Sequence, residues 1–276
     1  MSDVPLRGVR TRPISPFWSR ILVAVVGLPV VLGIVWLGGW WIVALAAVVS
    51  IAALHELYAI TRSLRPLVLA GYAGALAAVL GAKLGGPEWM IAGFMTTLPL
   101  AFLLKGFAGT RQPTTLSVAT TVLGAAWIGL GLSHLVLLRD LEPDGRLATF
   151  TVLIAVFAAD TAAYFAGRLF GRHKLAPATS PGKTWEGFFV GVIVAVAVPF
   201  FALYHQGYLD IPSSLVLGAV IALAGPLGDL FESAVKRDMA VKDTGRLLAG
   251  HGGMLDRIDA LLFAGLASFY TIVALT

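Results

Sequence analysis

The sequence predicts an all-α, polytopic integral membrane protein with about nine transmembrane helices. Three observations lead there. Of 276 residues, 58% are hydrophobic and only 13% are charged, with a mean hydropathy of +0.87; a soluble domain carries about 25% charged residues. Apolar runs of about 20 residues recur from end to end, each long enough to cross a hydrocarbon core of about 30 Å. The alternating strands of about ten residues that a membrane β-barrel requires are absent.

The spans follow in order. The first, 17–37, comes after Arg7, Arg10 and Arg12 and carries Arg20 just before its apolar run begins at Ile21. That basic flank resembles a signal peptide, but no A-x-A site follows and further spans come directly after it, so it reads as the first helix of the mature protein. Gly38-Gly39 separates it from 40–61, and Arg65-Pro66 leads into 67–85. Gly85-Gly86-Pro87 then marks a boundary before 88–105, and Pro113 opens 114–138. Pro143-Asp144-Gly145 precedes 148–168, Ile211-Pro212 opens 213–235, and 187–204 and 258–275 complete the set. These are turn and boundary signals. Gly and Ala inside the spans suit close helix packing in lipid.

Orientation follows from the cations. With a cytoplasmic N-terminus, 17 of the 20 Lys and Arg residues lie inside, and only Lys83, Arg139 and Arg146 fall outside. The positive-inside rule therefore selects this topology, with the C-terminus outside. Both large polar loops, 169–186 and 236–257, then face the cytoplasm. The net charge of +5 fits this loop bias and anionic lipid contact, with no nucleic acid as partner. The absence of cysteine excludes disulfides, thiolate metal sites and a cysteine nucleophile.

Charge is concentrated in four places. The stretch Ser233–Asp259 reads SAVKRDMAVKDTGRLLAGHGGMLDRID. It is either a plain polar loop or a site where cations and carboxylates handle an anionic substrate and its metal. Just before it, Asp229, Ser233 and Lys236 stand at i, i+4 and i+7 on one helix face with Glu232 beside them. An acid within a span is costly and points to function; the plainer reading is an ion pair or a snorkelling cap. Asp256 and Asp259, three apart at a helix start, would with Asp229 form a hard oxygen site suited to Mg²⁺, although acids also favour helix N-termini for electrostatic reasons. The glycines around His251 suit a tight loop close to phosphate. Asp160 and Tyr164, at i and i+4, sit deep in an apolar run; a satisfied buried acid is the alternative. Finally, SPGKT suggests a phosphate loop, but the position that needs glycine is Pro177, no strand precedes it, and Pro181 lacks a donor, so the phosphate loop is rejected. Ser180, Lys183 and Thr184 still offer hydroxyls and a cation to an anion.

These residues resemble the signature of the phosphatidate cytidylyltransferases, the CDP-diacylglycerol synthases. The pattern stands here as Ser233, Lys236-Arg237, Lys242-Asp243, Gly245, His251-Gly252-Gly253, Asp256-Arg257 and Asp259. Gly228-Asp229-Leu230 with Glu232, the segment 160–171 and the segment 180–186 are also similar to the family. The specific resemblance covers about residues 157–260. Ala249 stands where the family commonly has proline, and Gly182 where it often has a second lysine.

The resemblance implies a division into N-terminal spans one to five (1–150) and a catalytic region of spans six to nine (151–276). It implies that CTP and phosphatidic acid give CDP-diacylglycerol and pyrophosphate, with Mg²⁺ and a second cation such as K⁺. Because the attacking phosphate is already anionic, catalysis reduces to positioning and charge neutralisation. On this reading Asp229, Asp256, Asp259 and Asp160 bind metal. Lys236, Arg237 and His251 join Asp229 and Asp256 in the catalytic set. Lys183, Ser180, Thr184, Ser233, Lys242, Arg257 and Tyr164 contact substrate. The expected location is the inner (plasma) membrane, among membrane lipids, and the sequence leaves room for a homodimer. A transporter would spread its acids near mid-membrane and show repeat symmetry; neither is present. The D-x-x-D-G-x-x-A-R pattern of the CDP-alcohol phosphatidyltransferases is missing.

Overall fold

A computed structural model describes residues 23–108, 113–204, 206–245 and 252–276. It is an all-α membrane protein. Its helices are α1 (Leu28–Leu37), α2 (Gly39–Ile60), α3 (Val68–Met95), α4 (Thr97–Ala108), α5 (Thr114–Gly124), α6 (Gly131–Arg139), α7 (Gly145–Phe170), α8 (Trp185–Pro199), α9 (Ile211–Asp238) and α10 (Leu255–Leu275). A π-helical turn, Ala125–Leu130, joins α5 to α6 without a break in the apolar stretch.

Among the described residues, seven helical stretches are long and apolar enough to cross a membrane, rather than nine separate ones. The difference has two sources. Part of the expected first span lies outside the described residues, and Val25–Leu37 is a shorter apolar helix. The expected spans 67–85 and 88–105 fall within one 40-residue stretch, Val68–Phe107. That stretch is nevertheless folded back on itself. Gly85 and Gly86 leave helical geometry, with Gly86 at φ +72°, a conformation glycine adopts without steric cost. A Cβ on Gly81 would lie 2.2 Å from the Trp89 carbonyl oxygen, and one on Gly93 would lie 2.3 Å from that of Ala77. The two arms therefore run antiparallel with their backbones in contact, as small residues allow in lipid.

The α5–α6 helix is the most buried of the long stretches. It packs against α3 on one side and α10 on another, while α7, α8, α9 and α10 pack in succession. The aromatic pair Trp127–Phe231, 4.7 Å apart and edge to face, joins the central helix to α9. One end of the bundle gathers the three cations that the charge count set apart. Arg139 donates to the carbonyls of Val35 (2.7 Å) and Trp36 (2.9 Å) and so satisfies the C-terminus of α1. Lys83 pairs with Asp140 at 2.8 Å, and Arg146 lies 4.5 Å above the Trp36 ring.

The other end carries a feature absent from the sequence reading. The segment after α7 forms an antiparallel hairpin of β1 (Lys174–Ala176) and β2 (Ser180–Thr184), with Lys174 opposite Thr184 and Ala176 opposite Ser180. It leads directly into α8 and places Ser180, Lys183 and Thr184 over the bundle end.

Candidate active site

The last two helices build an acidic centre. On α9, Asp229, Glu232, Ser233 and Lys236 recur at helical spacing and share a face. The start of α10 brings Asp256 and Asp259 beside it. The close approach depends on Gly228: a Cβ there would lie 2.4 Å from the carbonyl oxygen of Asp259. Asp229, Glu232 and Asp259 each offer a carboxylate oxygen, and these oxygens lie within 4.8 Å of one another. Glu232 and Asp259 are buried, and Glu232 Oε1 has no hydrogen-bond partner.

Asp256 sits beside this group with its carboxylate taken up by protein donors. Lys236 Nζ donates to Oδ1 at 2.9 Å, the Gly253 N–H donates to Oδ2 at 2.8 Å, and the Thr244 N–H approaches both oxygens at 3.3 and 3.4 Å. Lys236 also pairs with Glu232. The first N–H groups of a helix need outside acceptors, and Met254, the N-cap of α10, supplies none. For the Leu255 N–H the acceptor comes from the far N-terminal region: Glu56 Oε2 on α2, at 3.0 Å. The Thr244 hydroxyl donates to the same oxygen at 3.3 Å. Glu56 is only 4% exposed, so this contact clamps the turn that carries Asp256.

A cavity of about 610 Å³ lies between α7, α8, α9 and the hairpin. Its foot is apolar, with Val156, Ala159, Val192 and Ile221; its head is polar, with Asp160, Tyr164, Ser180, Lys183, Thr184 and Asp229. Lys183 Nζ lies 2.6 Å from Asp229 Oδ2, so Asp229 belongs both to the cavity and to the acidic group. Thr184 caps α8 by accepting the Gly187 N–H at 3.2 Å, which fixes the residue after Lys183. Arg237 Nε donates to the Thr179 carbonyl at 3.2 Å and ties the hairpin turn to the end of α9.

The structure thus brings together most of the residues singled out in the sequence. Ser233 Oγ reaches Asp229 Oδ1 at 3.4 Å. Lys242, Arg237 and Arg257 are exposed. His251 lies outside the described residues, as do Arg246 and Gly250. The acidic group contains Glu232, which the sequence reading placed beside this face without a role, while Asp256 and Asp160 stand next to it. Asp256 is turned to the backbone N–H groups of Gly253 and Thr244, beside that group. Asp160 stands on the cavity wall. The spacing of Glu232 three residues after Asp229 could have signalled it. Nothing local signalled the reach of Glu56 to Leu255.

The donor set fits a divalent cation. It consists of carboxylate oxygens, the ligands hard cations take, and one of them is buried without a donor. Asp160, Asp229, Glu232, Asp256 and Asp259 also outnumber the two ammonium groups among them, Lys183 and Lys236.

The cytidylyltransferase family matches residues 18–275. A phosphatidate cytidylyltransferase of Staphylococcus haemolyticus is 32% identical over 249 residues, covering 88% of this chain and 94% of that protein. One from Mycobacterium bovis is 31% identical over 306 residues, covering 99% and 96%. One from Staphylococcus aureus is 30% identical over 252 residues, covering 88% and 94%.

Proposed function

The chain belongs to the cytidylyltransferase family, and from that premise we propose that it transfers the cytidylyl group of CTP to phosphatidic acid. A phosphate oxygen of phosphatidic acid forms a bond to the α-phosphorus of CTP. The bond from that phosphorus to the bridging oxygen breaks, and pyrophosphate leaves with the electron pair. The products are CDP-diacylglycerol and pyrophosphate.

One observation carries this reading: the cavity has an apolar foot among the spans and a polar head joined to the acidic group through Asp229. An amphiphile with a phosphate head suits that polarity gradient. The nucleophile is anionic already, so the residues have to orient two polyanions and offset their repulsion. Lys183 and Ser180 on β2 face the cavity and would hold phosphate oxygens. Thr184 keeps Lys183 in place through its cap of α8. Lys236 holds Asp256 and Glu232 together, and Ser233 supports Asp229. Arg237, Arg257 and Lys242, exposed at the same end, would meet the triphosphate from the water side.

Asp229, Glu232 and Asp259 would hold a divalent cation, with Asp160 and Asp256 at its border. Mg²⁺ there, with a second cation such as K⁺, would supply charge neutralisation for the triphosphate. The positive-inside count supports a site facing the cytoplasm in a multi-pass inner-membrane protein, with the N-terminus on the same side. The test is incorporation of radiolabelled CTP into lipid by the purified protein with phosphatidic acid, with and without Mg²⁺. Label in CDP-diacylglycerol only when both are present is the expected result. No labelled lipid under any of these conditions would refute the reading.

A further inference from the structure

The cavity holds a cation that the proposed reaction has not used. Arg168 lines its mouth on the last turn of α7. Its Nη1 lies 3.2 Å from the hydroxyl of Tyr164, one turn earlier and also on the cavity wall. Among the described residues no carboxylate pairs with Arg168, whereas Lys183 is paired with Asp229 and Lys236 with Glu232 and Asp256. The guanidinium therefore keeps its hydrogen-bonding fork available at the cavity rim.

Its surroundings indicate what comes to it. Phe165, Leu169 and Phe170 on the same turns of α7 are 56%, 71% and 69% exposed, and Trp185 and Phe189 on the neighbouring helix are exposed as well. Of these neighbours Trp185, with Tyr164 itself 60% exposed, belongs to the residue types that gather at the level of the lipid headgroups. Along α7 the cavity runs from Val156 to Arg168, about 18 Å at the helical rise. Its apolar foot is thus at acyl-chain depth and Arg168 at phosphate depth.

We infer that Arg168 and Tyr164 form a phosphate-binding subsite at the mouth of the cavity that receives the phosphomonoester of the lipid substrate. The inference rests on the proposed reaction for the identity of the lipid. A phosphomonoester presents paired oxygens to the planar fork of arginine, which binds them bidentately where a lysine cannot. The Tyr164 hydroxyl stands within reach of the same group. The plainer role for Arg168, a cation that anchors the helix end at the interface, would give no preference for one substrate over the other.

The same phosphate chemistry could come from the triphosphate of CTP, so the two sources are separated kinetically. In mixed micelles, Arg168→Ala should raise the apparent KM for phosphatidic acid about tenfold, the low end for loss of a charge-assisted hydrogen bond. The KM for CTP should stay within about twofold of the wild type on the same scale. Arg168→Lys should recover only part of the loss. A rise in the KM for CTP instead, or no change in either constant, would overturn the subsite. Binding of radiolabelled phosphatidic acid in micelles without CTP tests it independently of turnover. Binding by the wild type that R168A lacks supports it, even if the protein made no CDP-diacylglycerol. Equal binding by the two proteins, or none by the wild type, overturns it.

Discussion

Gly228→Ala should damage the active site through backbone displacement. The added Cβ would lie 2.4 Å from the carbonyl oxygen of Asp259, 3.1 Å from its carbonyl carbon and 3.2 Å from the Cα of Ala260. All three are main-chain atoms, so no side-chain rotation relieves the clash. Ordinary contact begins near 3.4 Å, so α9 and α10 must separate by about 1 Å at this point. Overpacking of this kind costs about 1–3 kcal/mol. The displacement also falls between Asp229 and Asp259, whose oxygens share the 4.8 Å group. A misplacement of about 1 Å can lower turnover about a hundredfold. Turnover of CTP into lipid should therefore fall by about that factor, with a lower thermal midpoint in detergent and a higher Mg²⁺ requirement. Gly106→Ala, where a Cβ would meet nothing within 4 Å, is the control and should leave turnover unchanged. Wild-type turnover and stability in G228A would refute the argument that this glycine sets the distance between the two carboxylates.

Four further expectations follow from the same geometry. Glu56→Ala leaves the Leu255 N–H and the Thr244 hydroxyl without their acceptor, at about 1–3 kcal/mol each; thermal unfolding should show a marked loss that Glu56→Gln largely restores, and an unchanged midpoint in E56A would contradict the clamp. Thr184→Val removes the cap of α8, about 1 kcal/mol, and should lower turnover a few-fold by loosening Lys183; a variant as active and as stable as the wild type would count against it. Asp256→Asn keeps an acceptor for Gly253 but breaks the ion pair with Lys236, so CTP incorporation should vanish while size-exclusion behaviour stays normal, and retained turnover would remove Asp256 from the site. A single cysteine placed between residues 174 and 183, in a chain with none of its own, should react with an impermeant thiol reagent only from the cytoplasmic face; labelling from the opposite face would reverse the topology.

What could be read from the sequence was whatever one helix carries by itself. Asp229, Ser233 and Lys236 share a face because 3.6 residues make a turn, and the structure keeps them together. Asp256 with Asp259, and Asp160 with Tyr164, are local in the same way. Gly85-Gly86-Pro87 was legible as a boundary, and the chain does fold back there. Contacts that depend on tertiary structure were not legible. Lys236 meets Asp256 across twenty residues, and Glu232 joins Asp229 and Asp259 in the acidic group. Glu56 meets Leu255 across 199, and no local pattern announces such a pair. The hairpin was hidden for another reason. Its strands have three and five residues and contain Pro181, and a proline without its N–H is accommodated only because each strand of a two-stranded sheet has a free edge.

The distribution of charge at the bundle end bears on the cation. A charge near lipid is tolerated when it is paired, and both ammonium groups of the site obey this: Lys183 on Asp229, and Lys236 between Glu232 and Asp256. The carboxylates do not balance. Asp259 is buried and has no ion pair among the described residues, and Glu232 keeps one oxygen buried without a donor. Both belong to the group on the α9–α10 contact, and Gly228 is placed so that this contact is as close as two backbones permit. Two helices brought together at their ionised acids resist each other unless protons or a cation stand between them. The arginines at the rim do not supply it: Arg168 lines the cavity mouth and the Nε of Arg237 donates to Thr179. A small, doubly charged cation at Asp229, Glu232 and Asp259 would offset the surplus where it is concentrated when these groups are ionised.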